Sequence, residues 1–176
     1  MQIEVRPGLL YFLKGKEEVR TRELVASLRS VGYRLLVISS RSSGAVKDEF
    51  DTPTDCIITL TEAVGECCVE PENLMVLTDT ITKFIERGGP SAFLIEDLGL
   101  LKQKNEFPRV LRTIGLVYES VALNRGIGIM VIDPHSWDGK ELAFLGKEGV
   151  MVEEKDRLDL KLILSRTSRN PSSQNV

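Results

Sequence analysis

Short, mostly apolar runs alternate with longer amphipathic segments through most of the chain, and this alternation most constrains its fold. The runs lie at residues 9–13, 35–38, 56–60, 92–95 and 127–132. Runs of this length, apolar nearly throughout, are typical of strands buried on both faces. Apolar residues at helical spacing mark helices at 17–31, from just after Pro71 to residue 85, and at 108–124. The alternation predicts parallel strands joined by crossover helices.

The fold class predicted from this order is α/β, a three-layer sandwich with a mostly parallel sheet and right-handed crossovers. Gly32 stands where a glycine would end the first helix, and a polar loop is expected from Ser39 to Asp55. A short helix is expected at 138–147. Apolar and charged residues alternate at 158–164, which predicts an extra C-terminal strand at the edge of the sheet.

Length and composition are those of one ordinary globular domain. Of 176 residues, 42% are hydrophobic and 28% charged, with a net charge of −3. These values exclude disordered, fibrous and cysteine-stapled classes. We expect one domain at 1–165 and a disordered polar tail at 166–176. No apolar run approaches the ~20 residues that span a bilayer, and the first residues lack a signal-peptide pattern, so we expect a cytoplasmic protein without membrane contact.

Metal and redox chemistry have little support among the ligand types present. The three cysteines, Cys56, Cys67 and Cys68, show no CxxC spacing, and His135 is the one histidine. A structural zinc site needs four converging ligands, so we expect no metal. The adjacent Cys67 and Cys68 could form a reducible disulfide, but small, apolar-like thiols are the favoured interpretation. Few glutamines among many Glu, Lys and Arg residues favour a thermophilic source.

The turn after the first strand invites comparison with a phosphate-binding loop. Gly15 and Lys16 stand in the position of that motif, but Leu10 replaces its first glycine and Glu17 replaces its hydroxyl residue. Glu96 and Asp97 follow the fourth strand as a magnesium-binding carboxylate would. Without the phosphate loop, helix capping or loop ordering is the favoured role for this pair. We therefore expect neither ATP hydrolysis nor a bound cofactor.

Nucleophilic and dinucleotide chemistry lack their motifs as well. No G-x-G-x-x-G follows the first strand, and no G-x-S-x-G elbow is present. His135 lies after the fifth strand, with Ser39, Ser40 and Asp133 as conceivable partners. A surface histidine that caps the following helix is the favoured interpretation, so the sequence predicts a protein that is not an enzyme.

A set of segments resembles the archaeal family called domain of unknown function 835 over about residues 7–153. The segments are 9–14, 71–74 with Ile81, Phe84 and Ile85, 91–101, 105–107, Val110-Leu111, 132–134 and Glu141-Leu142. Glu96-Asp97 stands where the family usually has Asp-Gly, and Leu100 or Leu101 where it has an aromatic residue. The resemblance implies a fold similar to RecA-like and circadian-clock-type ATPases without the phosphate loop. It implies a regulatory or scaffolding role and carries over no catalytic residue.

Three functions are compatible with these features. The leading hypothesis is a non-catalytic regulatory or scaffolding protein that contacts an unidentified protein and forms a homodimer. Its surfaces would be the helix bearing Tyr118 and the edge strand with its four leucines, Leu158, Leu160, Leu162 and Leu164.

Two alternatives remain open. One is a factor that contacts RNA or a ribosome and bridges large partners through Arg166 and Arg169, with Arg29, Arg34 and Arg41 clustered near the second strand. The other is a sensor that binds a nucleotide without hydrolysing it. Its site would lie at the carboxyl ends of the strands, near Lys16, Asp97 and His135.

Overall fold

The computed structural model describes residues 1–15, 18–161 and 163, and within them strands and helices alternate as the sequence predicts. The elements in chain order are β1 (Gln2–Glu4), β2 (Leu9–Lys14), α1 (Glu18–Ser30), β3 (Arg34–Ser39), α2 (Ser43–Phe50), β4 (Ile57–Leu60), β5 (Cys68–Val69), α3 (Leu74–Glu86), β6 (Ser91–Ile95), α4 (Leu98–Lys104), α5 (Phe107–Asn124), β7 (Ile127–Ile132), α6 (Gly139–Glu148), β8 (Val150–Val152) and β9 (Arg157–Asp159). Short 3-10 turns lie at Thr54–Cys56 and Pro134–Ser136.

In the described part of the chain, seven strands form one parallel sheet in the order β5-β4-β3-β6-β7-β2-β8. Helices cover both of its faces, so the predicted three-layer α/β sandwich is confirmed. One core cluster joins the sheet to α3, α4, α5 and α6, and a second joins it to α1 and α2. The strands are buried on both faces, which explains why they are apolar nearly throughout.

A small residue at the centre of the sheet lets its neighbours meet. Gly128 on β7 is paired with Leu10 on β2 and with Phe93 on β6. A Cβ atom at Gly128 would lie 2.3 Å from Leu10 Cδ2 and 2.7 Å from Phe93 Cζ. The two large side chains therefore occupy the space that a side chain at this position would need.

The region expected to be a polar loop after β3 contains helix α2. Ser42 begins it, since the Ser42 side chain accepts a hydrogen bond from the Ala45 amide at 3.3 Å. Val46 and Phe50, four residues apart, both point into the core. An amphipathic pair with a serine cap is enough for a short helix that packing stabilises, so the expectation of a loop from Ser39 to Asp55 was wrong.

The C-terminal strand differs from the prediction in length and place. Strand β9 ends at Asp159 and pairs in parallel with β1 in a separate two-stranded sheet. The Asp159 carboxylate accepts a hydrogen bond from the Lys161 amide at 2.9 Å, and the Ile163 amide donates to the Leu160 carbonyl. These bonds turn the chain after Asp159, so among the described residues the strand predicted over 158–164 is replaced by the shorter β9. The corresponding edge of the large sheet is β8, which the apolar pattern of the sequence did not predict.

Three further features concern the ends of α1 and α6 and the additional helix α4. Gly32 adopts a φ of +88° just after α1, as expected of a glycine that ends a helix. Helix α6 begins at a capping box formed by Asp138 and Glu141. Helix α4 was not predicted. Within the described residues, no helix is long and apolar enough to cross a membrane.

Candidate functional site

A crevice opens at the carboxyl ends of β3, β6 and β7. The chain leaves β3 into α2 on one face of the sheet, whereas it leaves the adjacent β6 into α4 and α5 on the other face. Parallel α/β sheets bind ligands where neighbouring strands diverge in this way. The cavity there has a volume of about 230 Å³. Its described lining residues are Glu18, Thr21, Ser39, Ser40, Arg41, Glu49, Phe50, Glu96, Asp97, Val131 and Asp133.

Arg41 ties two elements together across this crevice. Its Nε donates to Glu96 Oε2 at 3.1 Å and its Nη2 to Glu96 Oε1 at 2.5 Å, while its Nη1 donates to Glu49 Oε2. The Arg41 amide also donates to the Ser39 hydroxyl oxygen at 3.0 Å. A two-pronged pair between guanidinium and carboxylate fixes both distance and orientation, so Arg41 joins the end of β6 to α2.

The environment of Arg41 stabilises its charge. Hydrogen bonding to Glu96 is the largest factor that raises the pKa of Arg41, burial opposes it, and the hydrogen bond to Glu49 adds to the rise. The guanidinium also lies 5.9 Å from the centre of the Phe50 ring. Arg41 therefore stays a cation whose charge is shared by two carboxylates.

Carboxylates outnumber cations in the crevice. Five of its described lining residues carry a carboxylate and one, Arg41, carries a positive charge. Because Glu49 and Glu96 already bind Arg41, little positive potential remains to attract a phosphate. The described part of the crevice is therefore chemically suited to a cation rather than to an anion.

Gly15, directly after β2, is in contact with a distant part of the chain. Gly15 has a φ of +96°, and a Cβ atom there would lie 2.4 Å from Glu154 Oε1, so the Glu154 carboxylate packs directly against this glycine. Arg20 donates from Nη2 to the Lys14 carbonyl at 2.7 Å and from Nη1 to the Glu153 carbonyl at 2.7 Å. Where a phosphate-binding loop would hold an anion, this chain places a carboxylate.

Comparison with known proteins adds one finding to this geometry. A family model described as "Protein of unknown function (DUF835)" matches residues 14–148. The chain belongs to the DUF835 family. The match contains every described lining residue of the crevice, whereas β1, β8, β9 and Glu154 lie outside it. A search of curated proteins gave no match.

The predicted nucleotide-sensor residues of this DUF835 chain do not all meet. Asp97 lines the crevice and caps α4, since its carboxylate accepts a hydrogen bond from the Leu100 amide at 3.3 Å. The capping role favoured for the Glu96-Asp97 pair is thus confirmed for Asp97. His135 is exposed and is not among the crevice residues, and Asp138 rather than His135 caps α6. Lys16 lies outside the described residues.

The residues predicted to contact a partner are placed as follows. Tyr118 on α5 is half-buried and packs against the core, so its ring is only partly available. Leu158 and Leu160 are half-buried and pack against the other core cluster. Leu162, Leu164, Arg166 and Arg169 lie outside the described residues, as does the predicted tail at 166–176.

Of the three arginines expected to cluster near β3, Arg34 and Arg41 lie at opposite ends of the strand. Arg34 begins the strand and donates to the Gly88 carbonyl at 2.7 Å, whereas Arg41 lies beyond the other end of the strand. Arg29 donates to the Phe50 carbonyl at 2.9 Å. Each guanidinium is engaged within the fold, and whether these residues contact RNA stays a prediction.

Two features of the surface were not anticipated from the sequence. The Arg41–Glu49 pair depends on α2, which was expected to be a loop. Leu116 and Leu123 on α5 are 45% and 80% exposed, seven residues apart and so on one side of the helix. The sequence did contain a signal for the exposed leucines, because neither falls at the helical spacing of the buried residues Val110, Ile114, Val117 and Val121.

The cysteines are less buried than expected. Cys67 is exposed, and Cys56 and Cys68 are half-buried free thiols. Burial is the largest factor that raises the pKa of the Cys56 thiol, which favours its protonated form.

Proposed function

We propose that this protein is a non-catalytic regulatory or scaffolding protein that acts through contacts with other proteins, as a homodimer. The observation that carries the proposal is the Glu154 carboxylate packed against Gly15. A triphosphate needs glycine-rich backbone amides and a cation at that turn, and a carboxylate there repels it. Membership in DUF835 places the chain in a family but assigns it no activity.

The crevice supports the same proposal. Nucleophilic catalysis needs a base within hydrogen-bond reach of a nucleophile, and the exposed His135 lies outside the crevice that holds Ser39 and Ser40. Arg41, the described cation of the crevice, is engaged by Glu49 and Glu96 and is poorly placed to stabilise a developing negative charge. The crevice therefore offers a partner a charged recess of defined shape.

Nucleotide assays test the absence of catalysis. We expect no heat on titration with ATP, GTP or cyclic nucleotides, and no phosphate release from ATP or GTP, because Glu154 and the crevice carboxylates repel phosphates. Isothermal calorimetry and a phosphate-release assay measure these outcomes. The Glu154→Gln variant, which lacks the carboxylate beside Gly15, serves as the matched comparison. The proposal would be overturned if the unmodified chain hydrolysed ATP or GTP and lost this activity on replacement of Lys16.

Light scattering at several concentrations tests the homodimer. We expect twice the chain mass at working concentrations, and a shift to the monomer when Leu116 and Leu123 are both replaced by glutamate, because charges would disrupt an apolar contact between copies. Val64→Glu, at a fully exposed loop position, is the control and should leave the mass unchanged. A monomer at every concentration contradicts this part of the proposal.

The ribosome-associated alternative stays a prediction. Its key residues, Arg166 and Arg169, lie outside the described residues, and Arg29, Arg34 and Arg41 are engaged within the fold. Salt-sensitive co-sedimentation with ribosomes that weakens in an Arg166→Ala, Arg169→Ala variant is its test.

A further inference from the structure

We propose that two copies of this chain pair through the exposed side of helix α5, with the two helices antiparallel about a two-fold axis beside Leu116. This inference rests on the proposed function, because it names the contact through which the homodimer forms. Two observations carry it. Exposed leucines lie seven residues apart on that side of the helix, and two unpaired charges of opposite sign flank one of them.

The exposed side of α5 is a stripe of five residues that follow one another at intervals of three and four. They are Arg109, Arg112, Leu116, Glu119 and Leu123, all of them exposed. Residues at this spacing share one side of a helix. The buried residues of α5 lie on the opposite side and belong to the core cluster beneath the helix. These five residues form an outer stripe that faces solvent in a single chain.

The two leucines of the outer stripe leave apolar area in water. Leu116 is 45% exposed and Leu123 is 80% exposed. Intervals of three and four are those of helices that pack side by side, and leucines at such positions fill the contact between the helices. Burial of this area is favourable by roughly 25 cal/mol per Å². A helix that carries leucines at the same spacing is therefore a matching occupant.

Arg112 and Glu119 lie on either side of Leu116, and neither has a side-chain partner among the residues that the structure describes. Neither meets an opposite charge three or four positions along α5, where ion pairs within a helix form. Arg109 places a second positive charge three positions before Arg112. The outer stripe is therefore basic before Leu116 and acidic after it.

Antiparallel pairing makes the outer stripe complementary to itself. A two-fold axis beside Leu116 sets this residue against Leu116 of the second copy. Arg112 lies about 6 Å before the axis and Glu119 about 4.5 Å after it, at about 1.5 Å of rise per residue. The arginine of one copy therefore comes within about 1.5 Å of the level of the other copy's glutamate, and two reciprocal ion pairs form.

The same charges disfavour parallel pairing. Parallel helices would set arginine against arginine and glutamate against glutamate, which costs free energy. Antiparallel pairing also brings Leu123 opposite Arg109, and the aliphatic stem of an arginine covers apolar surface. Charge complementarity thus selects both the occupant, which is a second copy of this chain, and its direction.

Exchange of charges between copies tests this arrangement. Arg112→Glu would oppose glutamate to glutamate and Glu119→Arg would oppose arginine to arginine, so each variant should self-associate roughly tenfold more weakly than the unmodified chain. An equimolar mixture of the two variants should recover the dimer, because the acidic stripe of one chain meets the basic stripe of the other. The chain with both substitutions should also be a dimer. Sedimentation equilibrium at matched concentrations measures the mass.

Two variants on another helix are the matched controls. Arg22→Glu and Glu23→Arg make the same changes of charge at exposed positions of α1, which covers the other face of the sheet. We expect both to associate like the unmodified chain. Urea unfolding in dilute solution checks the fold. All the variants should unfold alike there, because exposed charges contribute little to the stability of a single chain.

Three results would overturn the inference. They are α5 variants that stay as dimeric as the unmodified chain, a mixture that stays monomeric, and equal dissociation by Arg22→Glu. The homodimer of the proposed function would survive each of them, since the copies would then meet through another surface. An unmodified chain that is monomeric at every concentration would overturn the homodimer as well, so the two failures are distinguishable.

Discussion

Replacement of Gly128 by alanine is expected to destabilise the protein by about 1–3 kcal/mol and to lower its Tm by roughly 5 °C. The new Cβ atom would lie 2.3 Å from Leu10 Cδ2 and 2.7 Å from Phe93 Cζ, both within the core of the sheet. Three strands meet at this point, so none of the neighbours can move aside without disturbing another pair. Denaturant unfolding followed by Trp137 fluorescence measures the change.

Two control experiments test whether crowding at Gly128 causes the loss of stability. Gly44 in α2 has open space where a Cβ atom would be added, so Gly44→Ala should not destabilise the protein. Phe93→Leu should cost less in the Gly128→Ala background than alone, because the smaller side chain makes room. Equal costs in both backgrounds would show that Phe93 does not crowd this position.

Replacement of Arg41 by methionine is expected to cost about 2 kcal/mol near neutral pH. The side chains of Glu49 and Glu96 are only 16% and 18% exposed, and without the guanidinium they would face one another as like charges. Arg41 is itself 39% exposed, which places the expected cost below that of a fully buried pair. Thermal and urea unfolding measure the loss.

This loss should be electrostatic in origin, because Glu49 and Glu96 repel one another once the guanidinium between them is removed. Arg41→Met with Glu96→Gln should recover part of the loss, whereas Arg112→Met, at an exposed position on α5, should change little. If the double variant recovers no stability, Arg41 acts through packing alone.

The strands and long helices were predictable because their apolar spacing is itself the physical cause of their burial. Residues 9–13 and 127–132 form strands since every side chain there meets an apolar layer. Helix α2 was missed because its apolar content is a single pair, Val46 and Phe50, whose value depends on the sheet beneath it. The dependence of α2 on the sheet cannot be read from a short stretch of sequence.

The crevice was predictable in place but not in chemistry. That a site lies at the carboxyl ends of the strands follows from the parallel order, and Asp97 was expected there. The Arg41 network was not, because Glu49 reaches Arg41 only when α2 forms and Glu96 is brought close only by the pairing of β3 with β6. The pairing of β9 with β1 was unpredictable for the same reason, since it joins segments at the two ends of the described chain.

The position of β2 bears on how the chain folds as it is made. It is the first strand of the large sheet to leave the ribosome, yet its two neighbours are β7 and β8, which are among the last. Until Ile127–Ile132 emerges, both hydrogen-bonding edges of a mostly apolar strand stay open. The sheet therefore closes late, and the open strand is a hazard for aggregation until then. Nascent chains that end before β7 should therefore depend on chaperones.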